Sequence, residues 1–366
     1  MEERLTAHAH AETQNQTGPG PLSDPRYRRL AIIMPSWVGD TVMATPVLRA
    51  IRRARPEAHL TAFVRPGLDD LLAGADAKWC DAVQAAPFKG GCGLIRTIRA
   101  VRDSKPDAVL LLPNSLRAAV IARASGAGRR IGYDRDGRGR LLTDRVPLKH
   151  SKRTPVSAVT YYAELAETAL GVTIDDRRPE LTVTDAERDA ARSMLDDVPR
   201  PFVLLNPGAN RADKRWPAER FAEAANRLHD SHNVAAAVTG SPAETDLVQR
   251  VVAGCAGPVF DLTGRGMTLS ALKAVAAEAA VLITNDTGPR HIAAAVGTPV
   301  VALFGPTDFR WTRLPGVCEH PLLSEPFLPE EFVADDHPQH CAIDRIPVCD
   351  VAAAAGRLLP DGAGRR

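Results

Sequence analysis

One pattern recurs along the chain and constrains its fold: an apolar run of strand length, then a loop of small or polar residues, then a stretch with helical periodicity. In the first half the apolar runs are Leu30–Met34, His59–Val64 and Ala108–Leu112. The stretch after the first run is amphipathic at helical spacing, and Pro56 ends it. Strands that alternate with crossover helices predict a parallel, doubly wound α/β sheet.

The same pattern restarts after a segment rich in Asp, Arg and Pro at residues 172–200. Such a segment is typical of a connection between domains. We therefore predict a disordered tail over residues 1–28, one doubly wound domain over residues 29–185 and a second over residues 186–366. The strands expected in the second domain are Phe202–Leu205, Val234–Thr239, Ala280–Thr284 and Pro299–Phe304.

Charge and hydropathy limit the classes of function. A net charge of +2 gives no global field that would favour nucleic acid. No apolar run approaches the roughly 20 residues of a membrane span, and residues 1–28 lack the apolar core of a signal peptide. We therefore expect a cytoplasmic protein with free cysteines.

One segment, residues 96–153, is rich in basic side chains. It is either a solvated face or a surface for an anionic acceptor or membrane, and the sequence leaves both interpretations open. Its basic residues include Arg117, Arg123, Arg129, Arg130, Arg135, Arg138, Arg140, Arg145, Lys149, Lys152 and Arg153.

Ligands of open α/β sheets bind beyond the carboxyl ends of the strands, so the loops there hold the candidate site residues. The loop after the first strand lacks G-x-G-x-x-G, and the chain has no G-x-x-x-x-G-K-[ST], which disfavours a dinucleotide dehydrogenase and a P-loop nucleotidase. Asp40, in this first loop, is either a helix N-cap or a general base in a cleft between the domains.

In the second half, three loops contain groups suited to a phosphorylated ligand. Lys214 precedes a helix opened by Pro217 and is either a surface lysine or the partner of a diphosphate. The segment Thr284–His291 joins a strand to a helix whose free N–H groups form an anion site. There Thr287 offers a hydroxyl, Asp286 is suited to sugar hydroxyls, and His291 is either a ligand or a packing residue. Glu244 is either a ribose ligand or a favourable charge in a first helical turn.

A metal site is disfavoured. His337, His340, Cys341 and Cys349 cluster near the C-terminus, but their spacing is not that of a standard zinc site. No D-x-D motif stands at a strand end in the second half. We therefore predict a reaction without metal or cofactor, in which Lys214 and a helix N-terminus hold the diphosphate.

Taken together and in order, the segments PSWVGDTVMATPVLRAIR, LLPNS, NPGA…DKRWP and TNDTGPRHIAAA closely resemble the ADP-heptose:lipopolysaccharide heptosyltransferases of glycosyltransferase family 9. The PSWVGD and LPNS segments are most similar to the heptosyltransferase II branch. The resemblance spans roughly residues 29–350. The chain departs from that branch near the C-terminus, where only HCAID at 340–344 matches a Cys-rich segment of many relatives.

The resemblance implies a GT-B fold, in which two Rossmann-like doubly wound domains face a central cleft. The N-terminal domain would hold the lipopolysaccharide inner core at the cytoplasmic face of the inner membrane, and the C-terminal domain would hold ADP-heptose. Transfer would invert the anomeric centre, with Asp40 as the base and Lys214 stabilising the leaving diphosphate. The implied donor-binding residues are Asn210, Lys214, Glu244, Asp286, Thr287, Gly288 and His291, and the implied acceptor-binding residues are Asn114 and Ser115.

Two other functions remain open at the sequence level. One is a related enzyme that uses another nucleotide sugar, such as a different transferase or an epimerase. The other is a two-lobed sugar-binding protein without catalysis. A cationic loop suited to phosphate counts against the second function, and so does the expected absence of an export signal.

Overall fold

The computed structural model describes residues 18–75, 78–88, 90–150, 154–324 and 341–360. Within these residues the chain forms two six-stranded sheets in which every neighbouring pair of strands is parallel. The prediction of two doubly wound α/β domains is confirmed.

The first sheet has the strand order β3-β2-β1-β4-β5-β6, so the chain starts at its centre and winds first to one edge and then to the other. Its central strands are buried because crossover helices cover both faces. The strands are β1 Arg29–Ile33, β2 His59–Val64, β3 Ala82–Ala85, β4 Ala108–Leu111, β5 Arg129–Tyr133 and β6 Asp144–Val146.

The second sheet repeats this winding with the order β12-β11-β10-β7-β8-β9. Its central strands β7, β8, β10 and β11 are fully buried, as expected from their apolar sequences. The strands are β7 Phe202–Asn206, β8 Ala235–Val238, β9 Val259–Asp261, β10 Val281–Asn285, β11 Val300–Phe304 and β12 Glu319–Leu323.

Eleven α-helices connect and cover the strands in the described residues. The amphipathic stretch after β1 forms two helices instead of one, because Pro46 lacks the N–H that a continuous helix needs at that position. The helices are α1 Val38–Met43, α2 Thr45–Ala54, α3 Gly91–Asp103, α4 Leu116–Ala124, α5 Ala158–Leu170, α6 Asp185–Met194, α7 Ala218–His232, α8 Thr245–Gly254, α9 Leu269–Glu278, α10 Gly288–Val296 and α11 Val348–Leu358.

Residues 18–28 fall in the predicted tail, but the structure differs from that prediction. Leu22 is buried in the core, and its N–H donates to the Ala169 carbonyl at 2.7 Å. The buried Arg55 guanidinium donates to the carbonyls of Leu22, Asp24 and Tyr27. A buried leucine and a buried cation with backbone acceptors fix this segment on the first domain, whereas residues 1–17 lie outside the described residues.

A buried lysine ties the two domains together. Lys273 of α9 has a fully buried side chain, and its Nζ lies 2.9 Å from Glu187 Oε1 on α6. The same ammonium donates to the carbonyls of Leu71 and Ala73 in the first domain, at 3.3 and 3.2 Å. One cation therefore joins the loop after β2, the helix that follows the connecting segment, and the second domain.

No helix in the described part of the chain is long and apolar enough to cross a membrane.

Candidate functional site

A cavity of about 560 Å³ lies where the carboxyl edges of the two sheets meet, and both domains line it. In doubly wound folds this edge is the place where ligands bind. The cavity brings together eight of the residues singled out from the sequence: Asp40, Asn210, Lys214, Glu244, Asp286, Thr287, Gly288 and His291.

The structure does not bring Asn114 and Ser115 into this cavity. Ser115 is the N-cap of α4, where its Oγ accepts from the Ala118 N–H at 3.2 Å. Asn114 Oδ1 accepts from Arg138 Nη2 at 3.2 Å. Both side chains therefore have structural partners, and their assignment as acceptor ligands stays a prediction that their position does not support.

Arg138 itself changes the interpretation of the basic segment. Its side chain is buried and donates to the carbonyls of Tyr133 and Pro113 as well as to Asn114. Arg138 is therefore not part of a surface for anions. Nine other basic residues of the segment are exposed among the described residues: Arg96, Arg99, Arg102, Lys105, Arg117, Arg123, Arg140, Arg145 and Lys149. Lys152 and Arg153 lie outside the described residues.

Asp40 lies in the first turn of α1 and is not its N-cap, which is Trp37. The N-cap interpretation of Asp40 is therefore wrong. Its carboxylate Oδ1 accepts a hydrogen bond from the hydroxyl of the buried Tyr162 on α5, at 3.2 Å. Burial raises the pKa of Asp40, and the Tyr162 hydrogen bond opposes that rise without cancelling it. A desolvated carboxylate of this kind is a stronger base than an exposed one.

The helices that hold the candidate site residues touch across the domain boundary. A Cβ atom on Gly39 of α1 would lie 2.7 Å from Cδ2 of His291 on α10. A Cβ on Gly288 of α10 would lie 3.0 Å from Cγ1 of Val38 on α1. Each helix thus presents a glycine where the other presents a side chain, and this places Asp40 beside the N-terminus of α10.

A chain of buried charges lies behind the α10 N-terminus. Asp286 contacts Lys214 Nζ at 3.5 Å and Arg290 Nη1 at 2.9 Å, and Arg290 also pairs with Glu319 at 2.6 Å. Burial acts to raise the pKa of Asp286, but the Arg290 and Lys214 cations outweigh it and hold that pKa below its ordinary value. Asp286 is therefore ionised, and its two cations occupy oxygens that the sequence analysis assigned to sugar hydroxyls.

Asn285 joins the two loops that carry these groups. Its Oδ1 accepts from the Trp216 N–H at 3.1 Å, and its Nδ2 donates to the carbonyls of Pro207 and Gly208. Trp216 is buried against Phe221 and donates its Nε1–H to the Ile346 carbonyl. The Lys214 loop is therefore anchored at both ends, which positions its ammonium at the cavity.

His291 and Glu244 have different settings. His291 is buried, and burial together with the nearby Arg290 lowers the pKa of its imidazole to about 3, so the ring is neutral. Glu244 Oε2 accepts from the N–H and hydroxyl of Ser241 at 2.9 and 2.7 Å, as part of a capping box. The Glu244 carboxylate also lies against Gly208, where a Cβ would be 2.2 Å from Oε1. Glu244 thus combines a helix-terminal role with a place in the cavity wall.

Sequence reasoning missed Tyr162, Arg290 and Asn285. Arg290 stands four residues after Asp286, the spacing of a helical ion pair, and that signal was available. Tyr162 is far from Asp40 in the chain, so no local pattern indicates their contact.

No cluster of three or more potential metal ligands occurs in the described residues. Of the predicted His/Cys group, Cys341 is buried and Cys349 is exposed, while His337 and His340 lie outside the described residues.

Comparisons with known proteins identify the family of this chain. The model of glycosyltransferase family 9 (heptosyltransferase) matches residues 94–322. Lipopolysaccharide heptosyltransferase 2 of Escherichia coli is 27% identical over 297 residues, covering 76% of this chain and 83% of the relative. Lipooligosaccharide heptosyltransferase 2 of Haemophilus influenzae is 29% identical over 304 residues, covering 77% and 85%.

Solved structures show the same fold. A glycosyltransferase of family 9 from Veillonella parvula superposes with a TM-score of 0.79 at 22% identity, covering 91% of this chain and 97% of that one. The Escherichia coli ADP-heptose LPS heptosyltransferase II superposes with a TM-score of 0.73 at 22% identity, covering 90% and 98%. The predicted GT-B architecture is confirmed.

Proposed function

Because this chain belongs to glycosyltransferase family 9, we propose that it transfers heptose from ADP-L-glycero-D-manno-heptose to the inner core of lipopolysaccharide. Two family relatives with similar sequences are heptosyltransferases of lipopolysaccharide or lipooligosaccharide. The proposal extends that activity to this chain and assigns roles to its residues.

One observation carries the proposal: a desolvated carboxylate from one domain and a positively charged anion-binding site from the other line the same cavity. Asp40 comes from the first domain, whereas Lys214 and the α10 N-terminus at Thr287–Gly288 come from the second. A base and a leaving-group site on opposite walls suit a direct displacement at a carbon between them.

In the proposed step the acceptor hydroxyl oxygen bonds to the anomeric carbon while the bond from that carbon to the ADP oxygen breaks. The hydroxyl proton passes to Asp40, and ADP leaves with the bonding electron pair. Attack opposite the leaving group inverts the anomeric centre. Lys214 and the free N–H groups of the first turn of α10 stabilise the charge that develops on the diphosphate.

The charge chain behind the site permits Lys214 to serve the diphosphate. When the ammonium turns from Asp286 to a phosphate oxygen, Arg290 remains 2.9 Å from Asp286 and continues to compensate its buried charge. An uncompensated buried carboxylate would make the same movement costly. Arg290 is therefore proposed to support the donor site without contacting the donor.

The function is tested by incubating the protein with ADP-heptose and lipopolysaccharide inner-core acceptors and measuring the product mass. A product heavier by one heptose, with release of ADP, is expected. An acceptor embedded in anionic vesicles should react faster than its delipidated form if the protein contacts the inner membrane peripherally. ADP-hexoses as alternative donors examine the choice of sugar, and binding without ADP release would contradict the enzymatic proposal.

Replacing Asp40 by asparagine should lower kcat about 10²–10⁴-fold, because the amide cannot accept the hydroxyl proton. The dissociation constant of ADP, measured by calorimetry, should stay close to that of the wild type. Asp103→Asn, an exposed carboxylate on α3, is the matched control and should retain full turnover. Normal turnover in Asp40→Asn would overturn the assignment of the base.

A further inference from the structure

Besides Lys214 of the second domain, one cation of the first domain lines the cavity. Arg65 directly follows β2, and β2 pairs in parallel with β1, the strand that leads into the Asp40 loop. The two loops leave the same sheet edge side by side, joined by the hydrogen bond from the Met34 N–H to the Phe63 carbonyl at 3.0 Å. Arg65 therefore lines the same cavity as Asp40 and lies on the opposite domain from Lys214.

Arg65 differs from the other cations at this site in its partners. Lys214 pairs with Asp286, and Arg290 pairs with both Asp286 and Glu319. Within the residues that the structure describes, Arg65 pairs with no carboxylate, and its Nε is buried without a hydrogen-bond acceptor. A buried donor without an acceptor is unfavourable unless a ligand supplies one.

The nearest acidic residue along the chain does not fill this role. Asp69, four residues later, accepts from the Gly67 N–H at 2.8 Å and caps its own turn. Among the carboxylates of the cavity wall, Asp40 is held by Tyr162, and Glu244 by Ser241. The Arg65 guanidinium is thus a planar set of donors at the cavity wall, and no carboxylate of the described part of the chain pairs with it.

We propose that Arg65 binds a phosphate or carboxylate group of a substrate while Asp40 acts on the acceptor hydroxyl. This inference rests on the proposed function for the identity of the substrates. The anion belongs either to the acceptor, which reaches Asp40 from the same sheet edge, or to the donor diphosphate across the cavity. A guanidinium that pairs with such an oxyanion in two parallel hydrogen bonds fixes both its position and its orientation.

The test measures binding without turnover. Wild type, Arg65→Gln and Arg65→Lys are titrated separately with ADP and with a delipidated, phosphorylated inner-core oligosaccharide. In Arg65→Gln the dissociation constant of one ligand should rise about tenfold to a hundredfold, as expected for a lost charged hydrogen bond. Arg65→Lys should recover part of that affinity because it keeps the charge and loses the bidentate geometry.

The ligand that is affected identifies the source of the anion. Weaker binding of the oligosaccharide to Arg65→Gln assigns Arg65 to the acceptor, provided that phosphatase treatment and carboxyl reduction of the oligosaccharide also weaken its binding to the wild type. Weaker binding of ADP to Arg65→Gln assigns Arg65 to the donor. Arg53→Gln, an exposed arginine on α2, is the control and should bind both ligands normally. Unchanged affinity for both ligands in Arg65→Gln would overturn the proposal.

The same titrations separate this proposal from the proposed function. A wild-type protein that binds ADP and the oligosaccharide but forms no product would contradict the transferase assignment alone. A transferase whose Arg65→Gln variant has unchanged affinities, unfolding temperature and kinetics would contradict the role of Arg65 alone.

Discussion

At the scale of single residues, the chemistry of the site depends on how burial and hydrogen bonding set the charge of Asp40. Burial raises the pKa of this carboxyl group, and the Tyr162 hydroxyl stabilises the carboxylate in the opposite direction. Burial and the Asp40 charge raise the pKa of Tyr162 well above its ordinary value, so that hydroxyl keeps its proton and remains a donor. Tyr162 is a positioning residue that also tunes the base.

Tyr162→Phe should therefore move the acid limb of the pH profile of kcat/KM to higher pH. Loss of the hydroxyl removes a group that favours the carboxylate, so the pKa of Asp40 rises further and more of the base is protonated at a given pH. The measurement is the pH dependence of kcat/KM between about pH 4 and 8. Tyr161→Phe, at the preceding residue of the same helix, should leave the limb in place.

An unchanged acid limb in Tyr162→Phe, with folding intact by circular dichroism, would show that Tyr162 does not act through Asp40. A fall in rate at all pH values without a shift would indicate a purely structural role.

The residues predicted from sequence are those whose position in a loop carries the signal. Asp40, Lys214 and the Asp286–Gly288 segment follow strand ends, where the parallel sheet brings them together. Tyr162 was not predicted because its hydrogen bond to Asp40 joins two distant segments of the chain. The spacing of Asp286 and Arg290 was visible in the sequence, but the pairing of Arg290 with Glu319 was not, because Glu319 lies on β12, an edge strand that the hydropathy pattern does not show.

At the scale of secondary-structure elements, the contact between α1 and α10 is the feature on which the site depends. Each of these short helices carries one site glycine, and each glycine faces a side chain of the other helix. The G-D and D-T-G segments are therefore partners in packing as well as in chemistry. This explains why a side chain is excluded at Gly39 although its helix would tolerate one.

Gly39→Ala should lower both stability and activity. Its Cβ would lie 2.7 Å from the buried His291 ring, so the ring or the two helices must shift, and overpacking of this kind costs about 1–3 kcal/mol. Thermal unfolding and kcat/KM measure the two effects. Gly91→Ala, in the first turn of α3 with no atom within 4 Å of its added Cβ, should unfold at the same temperature as the wild type or slightly higher. Equal stability of the two variants would contradict tight packing at Gly39.

Prediction of the elements succeeded where burial is complete. The central strands β1, β2, β4, β7, β8, β10 and β11 were located because strands covered on both faces appear as continuous apolar runs. The edge strands β3, β6, β9 and β12 were missed because they are short and only partly buried, so their sequences contain polar residues. The break between α1 and α2 was missed because the apolar spacing continues across Pro46.

At the scale of the whole molecule, the Lys273 contact holds the two domains in register. Burial lowers the pKa of Lys273, and the Glu187 carboxylate opposes that shift. The ammonium is satisfied by the Glu187 carboxylate and by two backbone carbonyls of the loop after β2. Its role could not be predicted from sequence, because it depends on an acidic residue and a loop that only the assembled fold brings to α9.

Lys273→Met should destabilise the protein by about 3–5 kcal/mol, because Glu187 keeps a largely buried charge without its partner. Urea denaturation monitored by fluorescence measures the loss. The double variant Glu187→Gln with Lys273→Met should regain part of it, since the amide carries no charge. A single variant as stable as the wild type would show that the contact contributes nothing to holding the domains.

The paired glycines of α1 and α10 also limit how such enzymes can be recombined. A chimera that joins the first domain of one relative to the second domain of another brings together two helix surfaces that have not been fitted to each other. Here the His291 ring of α10 fills the space beside Gly39, and the Val38 side chain of α1 fills the space beside Gly288. An exchange of donor specificity by transplanting the second domain should therefore succeed only when α1 is transplanted with it.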